Sequence, residues 1–163
     1  MPMTTTAELL TRGLIAGYAS SEPPMPIIRA GVKGKSTHYE EPDGGVYHDE
    51  WFGKTSGGGQ ELVRTSRGHY LRTYYGGTAN DTVLSALGIS AEEVSEYLVS
   101  KITQLGESTR LHEDSPIITD GIWQYQYSVL DVGHEVTYTS ASERIYYMGK
   151  TVHFHHFGLT PVR

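Results

Sequence analysis

Two stretches of the chain carry most of the residues that can do chemistry. Glu61, Arg72 and Tyr74 lie in the first, and Glu143, His153, His155 and His156 in the second. Both stretches read as β-hairpins. Take Arg67-Gly68 and Gly149-Lys150 as two-residue loops, the second in the type II′ form that a leading Gly permits. Glu61 then faces Tyr74, Val63 faces Arg72 and Thr65 faces Tyr70, while Glu143 faces His156, Ile145 faces Phe154 and Tyr147 faces Val152. A carboxylate beside an imidazole in a partly dry pocket makes a general base, because Glu143 orients His156 and stabilises its protonated form. Arg72 would bind or polarise an anionic or carbonyl group, with Tyr70 and Tyr74 as donors. The competing reading makes Glu61–Arg72 a plain charge pair and Glu143–His156 a satisfied cross-strand pair at the sheet rim.

A second constellation is His153-x-His155, with His134-Glu135 upstream. Two histidines at i and i+2 share a strand face and, with a carboxylate, suit an iron or zinc site. In the register above they point away from Glu143, so the metal and acid–base readings use opposite faces. Tyr47, Asp49 and Trp51 alternate along one strand face and would line a cavity mouth, with Phe154 and the Trp123, Tyr125, Tyr127 stripe as further wall or core. Gly57-Gly58-Gly59 lacks the Lys-Ser/Thr of a phosphate loop and reads as a flexible hairpin or wide bulge. Gly-x-Ser-x-Gly is absent, and with no cysteine there is neither a thiol nucleophile nor a Cys-based zinc site. The leading expectation is therefore chemistry without a cofactor.

Behind these residues stand two helices. Ala7, Leu10, Leu14 and Tyr18 recur at helical spacing over 4–19, which the prolines of 20–26 cannot continue. A second helix opens at Ser90 with Glu93 three residues on and stops at Gly106, after a short helical turn over 79–87. Strands are expected near 36–41, 46–52, 60–66 and 69–75, and again near 122–130, 134–139, 143–148 and 151–157. Residues 61–76 lie over 143–158 without a gap, both running from a Glu to a Gly preceded by an aromatic, and Asp43-Gly44-Gly45 matches Asp131-Val132-Gly133 as a turn. The sequence thus reads as one α+β domain over 1–163, with α-β4 modules at about 4–77 and 78–158. Neither module can bury both its faces alone, so the pair should pack about a pseudo-twofold axis and share a cavity.

Composition narrows the function classes. With 37% hydrophobic and 20% charged residues the chain can bury a core, and 12 Tyr with 19 Gly favour strands and turns. The net charge of −6 lies wholly in residues 79–163, where 11 Asp and Glu meet 5 Lys and Arg. Over 81–120 only Lys101 and Arg110 oppose eight acids. Such a surface repels phosphate backbones, so nucleic acid is not an expected partner. No apolar run is long enough to span a bilayer, and the N-terminus has no signal-like h-region, so the expected location is cytoplasmic. Open sheet edges would suit a homodimer.

The run Tyr47-x-Asp49-x-Trp51-x-Gly53, followed by Gly59-x-Glu61 and Tyr70-x-Arg72-x-Tyr74-Tyr75-Gly76, resembles a bacterial domain-of-unknown-function family. Members often sit C-terminal to XRE-type helix-turn-helix regions in regulators. The likeness covers about residues 14–158 and implies the fold; the family has no assigned activity. Two departures stand out: this chain begins with the domain's own first helix, and Arg72 stands where the family pattern has an apolar residue. The second implies a polar pocket particular to this protein. The expected function is a small enzyme of the isomerase, cyclase or lyase type, using Glu61, Arg72, Tyr74, Glu143 and His156 on a small organic substrate held between the modules. A non-catalytic small-molecule sensor and a metal enzyme built on His153 and His155 are the alternatives.

Overall fold

A computed structural model describes residues 3–17 and 23–163. Helix α1 (Thr6–Ala16) begins where Thr5 accepts from the Glu8 amide at 3.2 Å and the Glu8 carboxylate accepts from the Thr5 amide at 2.7 Å. That reciprocal pair satisfies two amides no helical carbonyl can reach. The helix stops at Gly17; the last part of the expected span, with Tyr18, and the start of the proline break lie outside the described residues. Helix α2 (Asp81–Leu87) is capped by Asn80, and α3 (Ala91–Leu105) repeats the reciprocal cap with Ser90 and Glu93. Leu9, Leu10, Leu14, Leu84, Val94, Leu98 and Ile102 are the faces these helices bury. None of the described helices is long and apolar enough to cross a membrane.

The strands are β1 (Met25–Arg29), β2 (Val32–Glu40), β3 (Val46–Phe52), β4 (Ser56–Thr65), β5 (Gly68–Thr78), β6 (Ile118–Asp120), β7 (Trp123–Gly133), β8 (Tyr138–Tyr147) and β9 (Lys150–Val162). They form one antiparallel sheet ordered β1-β2-β3-β4-β5-β9-β8-β7-β6. The fold is α+β. Strand β1, which takes in Pro26 at the edge of the sheet, has no counterpart among the expected strands. Residues 134–139 and 143–148 are not two strands: the turn falls at 134–137 and β8 runs unbroken from Tyr138. Asp131-Val132-Gly133 is consequently the end of β7, whereas Asp43 does make the β2–β3 turn by accepting from the Gly45 amide at 3.0 Å. Thr119-Asp120 belongs to β6, and Gly57-Gly58-Gly59 is regular strand in β4.

Both hairpin registers differ from expectation. The β4–β5 loop is Ser66-Arg67, so Glu61 faces Arg72 directly, not Tyr74. The β8–β9 loop is Met148-Gly149, at φ +50° and +76°, a pair of left-handed residues as in a type I′ turn, not the II′ turn on Gly149-Lys150. Strand β9 then carries one extra residue, Val152, between Thr151 opposite Tyr146 and His153 opposite Ile145. The Val152 carbonyl is used outside the sheet, accepting from the Ala79 amide at 2.9 Å. A single inserted residue reverses which side chains share a face. His153 and His155 therefore lie on the Glu143 face, while Phe154 and His156 lie on the other, the reverse of the sequence reading.

From β5 the chain crosses through α2, α3 and the segment 106–117 to β6 at the far edge, then meanders back through β7 and β8 to β9 in the centre. Helix α1 packs on β2, β3 and β4. Tyr97 of α3 stacks on Trp123 at 4.8 Å between ring centroids and donates to Asp120 at 2.9 Å. Lys101 pairs with the same Asp120 at 2.7 Å. One core joins these helices to Tyr47, Val63, Tyr125, Tyr127, Ala141, Ile145, Phe157 and Leu159 of the sheet.

Candidate functional site

Antiparallel pairing sorts the inner face into rows that cross the sheet. One row runs Asp49, Glu61, Arg72, Leu159, Thr139; the next runs Trp51, Gly59, Tyr74, Phe157, Ala141; a third runs Gly57, Gly76, His155, Glu143, Tyr127. Three acids, Asp49, Glu61 and Glu143, are thereby set into an otherwise aromatic and aliphatic interior, each at most 2% exposed. Burying a carboxylate is costly without a partner, and the partners differ.

Glu61 is met by its cross-strand neighbour. Arg72 Nε and Nη2 reach its two oxygens at 2.5 and 2.7 Å, and Tyr47 Oη donates to Oε1 at 2.7 Å. Glu143 receives Arg110 in the same two-pronged way, Nε to Oε2 at 2.6 Å and Nη2 to Oε1 at 2.7 Å, with Tyr125 Oη donating to Oε2 at 2.7 Å. Burial alone would raise the Glu143 carboxyl, but Arg110 and the facing histidines hold it well below the usual range. Arg110 comes from the crossover segment at φ +60° and lies over the Phe157 ring at 5.0 Å. Its carbonyl accepts from Arg72 Nη1 at 2.7 Å, which ties the two ion pairs together.

Asp49 takes a phenol in place of a guanidinium: Tyr74 Oη donates to Oδ1 at 2.8 Å. Desolvation, and then repulsion from Glu61, push its carboxyl up to about 8. It is therefore largely protonated at neutral pH. Tyr74 starts on β5, two strands from Asp49, and its phenol crosses β4 where Gly59 leaves room. A Cβ on Gly59 would stand 2.6 Å from Tyr74 Oη and 2.1 Å from the Glu50 carbonyl. With Gly57 and Gly76 in the adjoining row, the inner face beside Tyr74 and His155 carries bare backbone over three positions.

His153 and His155 face Glu143 from β9. His153 Nε2 lies 3.3 Å and His155 Nδ1 3.5 Å from Glu143 Oε1. Their rings meet edge to face at 4.4 Å, and His155 reaches the Tyr74 ring at 5.7 Å. Burial lowers the His155 imidazole against the opposing pull of Glu143. An open hollow of about 250 Å³ adjoins His153, lined by Thr78, Val152 and Phe154 among others; a second, of about 480 Å³, is lined by Glu107, His112, Glu113 and Asp114.

The remaining expected residues disperse. Compared with known proteins, the chain matches no family model, no curated protein and no solved structure. His156 stacks on Tyr75 at 5.1 Å and contacts Ser140 Oγ at 3.2 Å on the outer face, away from Glu143. Phe154 packs there under Arg144 at 5.0 Å. Trp123 docks α3, and Tyr70 contacts His112 Nε2 at 3.2 Å. Trp51 keeps its place beside Asp49 as the cross-strand neighbour of Gly59. His134 and Glu135 sit in the exposed 134–137 turn. Sequence reasoning missed Arg110. Its signal was the acidic stretch 81–120, whose only two cations, Lys101 and Arg110, are both buried and paired.

Proposed function

We propose that the protein is a small-molecule enzyme of the isomerase, cyclase or lyase type, with Asp49 and Tyr74 as its acid–base pair. The observation that carries this reading is the partner of Asp49. Glu61 and Glu143 are each gripped by a two-pronged arginine pair, a strong charge-assisted contact that holds the side chain in place. Asp49 keeps a transferable proton next to a phenol and a side-chain-free stretch of backbone. A carboxyl that titrates near neutral pH suits moving a proton to or from a carbon or oxygen of a substrate. The proton transfer itself uses only groups of this chain. Arg72 and Arg110, whose charges Glu61 and Glu143 already balance, hold the polar groups around the pair in fixed positions.

The fold around the pair would consist of two copies of an α-β4 unit, one ending in β5 and the other in β9. Several features support this. A helix with the same reciprocal cap precedes each set of strands, β5 and β9 pair antiparallel at the centre, and Tyr47–Glu61 is matched by Tyr125–Glu143 at the same 2.7 Å. The residues that resemble the regulator-associated family, Tyr47 to Gly53, Gly59 with Glu61, and Tyr70 to Gly76, include Asp49, Gly59 and Tyr74 of the crossing. That likeness favours a second reading, a sensor that binds its ligand unchanged.

One experiment separates them. The protein is equilibrated with a small-molecule extract, retained compounds are identified by native mass spectrometry, and each is incubated with the protein in heavy water. Deuterium entering the compound, or its conversion, supports the enzyme, provided Asp49→Asn and Tyr74→Phe abolish it while binding persists. Retention without exchange overturns the enzyme in favour of the sensor, and exchange that survives both substitutions overturns the assignment of the pair.

A further inference from the structure

We propose that Glu143, His153 and His155 bind a divalent transition metal ion of the zinc or cobalt(II) class. The inference is independent of the Asp49–Tyr74 reading, which would stand if it failed. Its basis is donor type and spacing. Two imidazoles and one carboxylate suit zinc, cobalt or iron, whereas magnesium and calcium call for oxygen donors. Metal–ligand bonds of about 2.0–2.1 Å at a tetrahedral angle put donor atoms about 3.3–3.5 Å apart. Glu143 Oε1 lies 3.3 Å from His153 Nε2 and 3.5 Å from His155 Nδ1, and the three atoms fall within 4.8 Å of one another.

A second observation points the same way. His155 Nδ1 is buried without a hydrogen-bond partner. An unsatisfied buried nitrogen costs stability, and a cation seated between it and Glu143 Oε1 would remove that cost. The surroundings also fix the ligands. Glu143 is oriented by Arg110 on both oxygens and by Tyr125 on Oε2, which leaves one lone pair of Oε1 for a cation, and the far nitrogen of His153, Nδ1, is 3.4 Å from Thr78 Oγ1. Such outer contacts set ring orientation in metal sites. The Val152 bulge is what brings both imidazoles to this face. Three protein donors leave a fourth position for water or a substrate oxygen, the pattern of a catalytic rather than a closed structural site. The Arg110 charge already balances Glu143, so an anionic fourth ligand such as hydroxide or a carboxylate would offset the added charge of the metal.

The test is titration of the full chain, stripped with a chelator and dialysed, with cobalt(II) alone. Tetrahedral coordination gives strong visible absorption bands that saturate at one equivalent and are displaced by zinc. His155→Phe and His153→Gln should each abolish the bands and weaken zinc binding more than about 100-fold, beyond the loss expected for an outer contact. His156→Gln, on the opposite face, should leave both unchanged. Histidine nitrogen resonances of the unsubstituted protein give an answer even if a variant fails to fold, because two histidines must shift on adding zinc. The absence of a saturable cobalt spectrum in the unsubstituted protein, its persistence in His155→Phe, or its loss in His156→Gln would overturn the proposal.

Discussion

Glu61 and Glu143 hold corresponding places in the two halves of the sheet, each next to a tyrosine that donates at 2.7 Å, yet their charges are met from different directions. In the first half the guanidinium comes from the neighbouring strand, because Arg72 faces Glu61 across β4 and β5. In the second half the residue facing Glu143 is His155, and the guanidinium comes from the crossover as Arg110. Supplying the cation from outside the sheet frees a strand position for an imidazole. The first half is thus electrostatically complete within its strands, while the second depends on the 106–117 segment and gains two histidines aimed at its carboxylate. Asp49, also in the first half, corresponds to Tyr127 in the second, since each faces the glutamate from the preceding strand. Each half therefore carries one titratable group or cluster that the other lacks.

The largest expected effect comes from breaking either ion pair. Arg72→Met and Arg110→Met each strand a buried carboxylate and should cost about 3–5 kcal/mol in urea denaturation. Replacing both partners of the second pair, Glu143→Leu with Arg110→Met, should cost clearly less than the two single changes summed. Additive losses would mean that the crossover arginine does not answer Glu143.

Next comes the pH dependence of the first half. The folded-state carboxyl of Asp49 is raised above its unfolded value of 3.8 to about 8. The folded state therefore holds the proton longer. That contribution to stability is complete below about pH 4 and is lost as pH rises through about 8, on the order of a few kcal/mol in all. Asp49→Asn should remove this slope, so that the variant gains on the parent protein between pH 5 and pH 9 in thermal melts. Parallel pH profiles would sink the assignment.

Smaller again is the glycine that lets the phenol pass. Gly59→Ala forces a methyl group against the Glu50 carbonyl and the Tyr74 hydroxyl, and should cost about 1–3 kcal/mol. It should also disturb the Tyr74 ring resonances. The smallest effect sharpens the likeness of the halves: Thr5→Ala and Ser90→Ala remove matching caps and should each cost about 1 kcal/mol by calorimetry. A much larger loss at one helix would show that the two contribute unequally.

Much of this frame can be read from local chemistry. Ser90 with Glu93, the β3 alternation of Tyr47, Asp49 and Trp51, and the presence of a glutamate in each half all follow from short-range pattern. The site itself turns on two slips of register. Ser66-Arg67 rather than Arg67-Gly68 makes the first loop, and Val152 is inserted into β9. Turn type and bulge position depend on how the flanking strands pair with β5, β8 and Ala79, contacts that no local pattern reports. Arg110 is further out of reach, because a left-handed residue in a crossover segment has no period to reveal which carboxylate it answers.

Strand β9 has a consequence for the order in which the molecule can be made. Among the described strands it comes after the other eight, yet it lies in the middle of the sheet, between β5 and β8. While a ribosome is still adding residues 150–162, β5 and β8 both present unpaired edges, and Glu143 lacks the imidazoles that will face it. The halves can be joined only after β9 emerges, so one step closes the sheet and completes the polar interior together. A nascent chain stalled short of β9 would display two sticky edges, the form most exposed to aggregation or to capture by a chaperone.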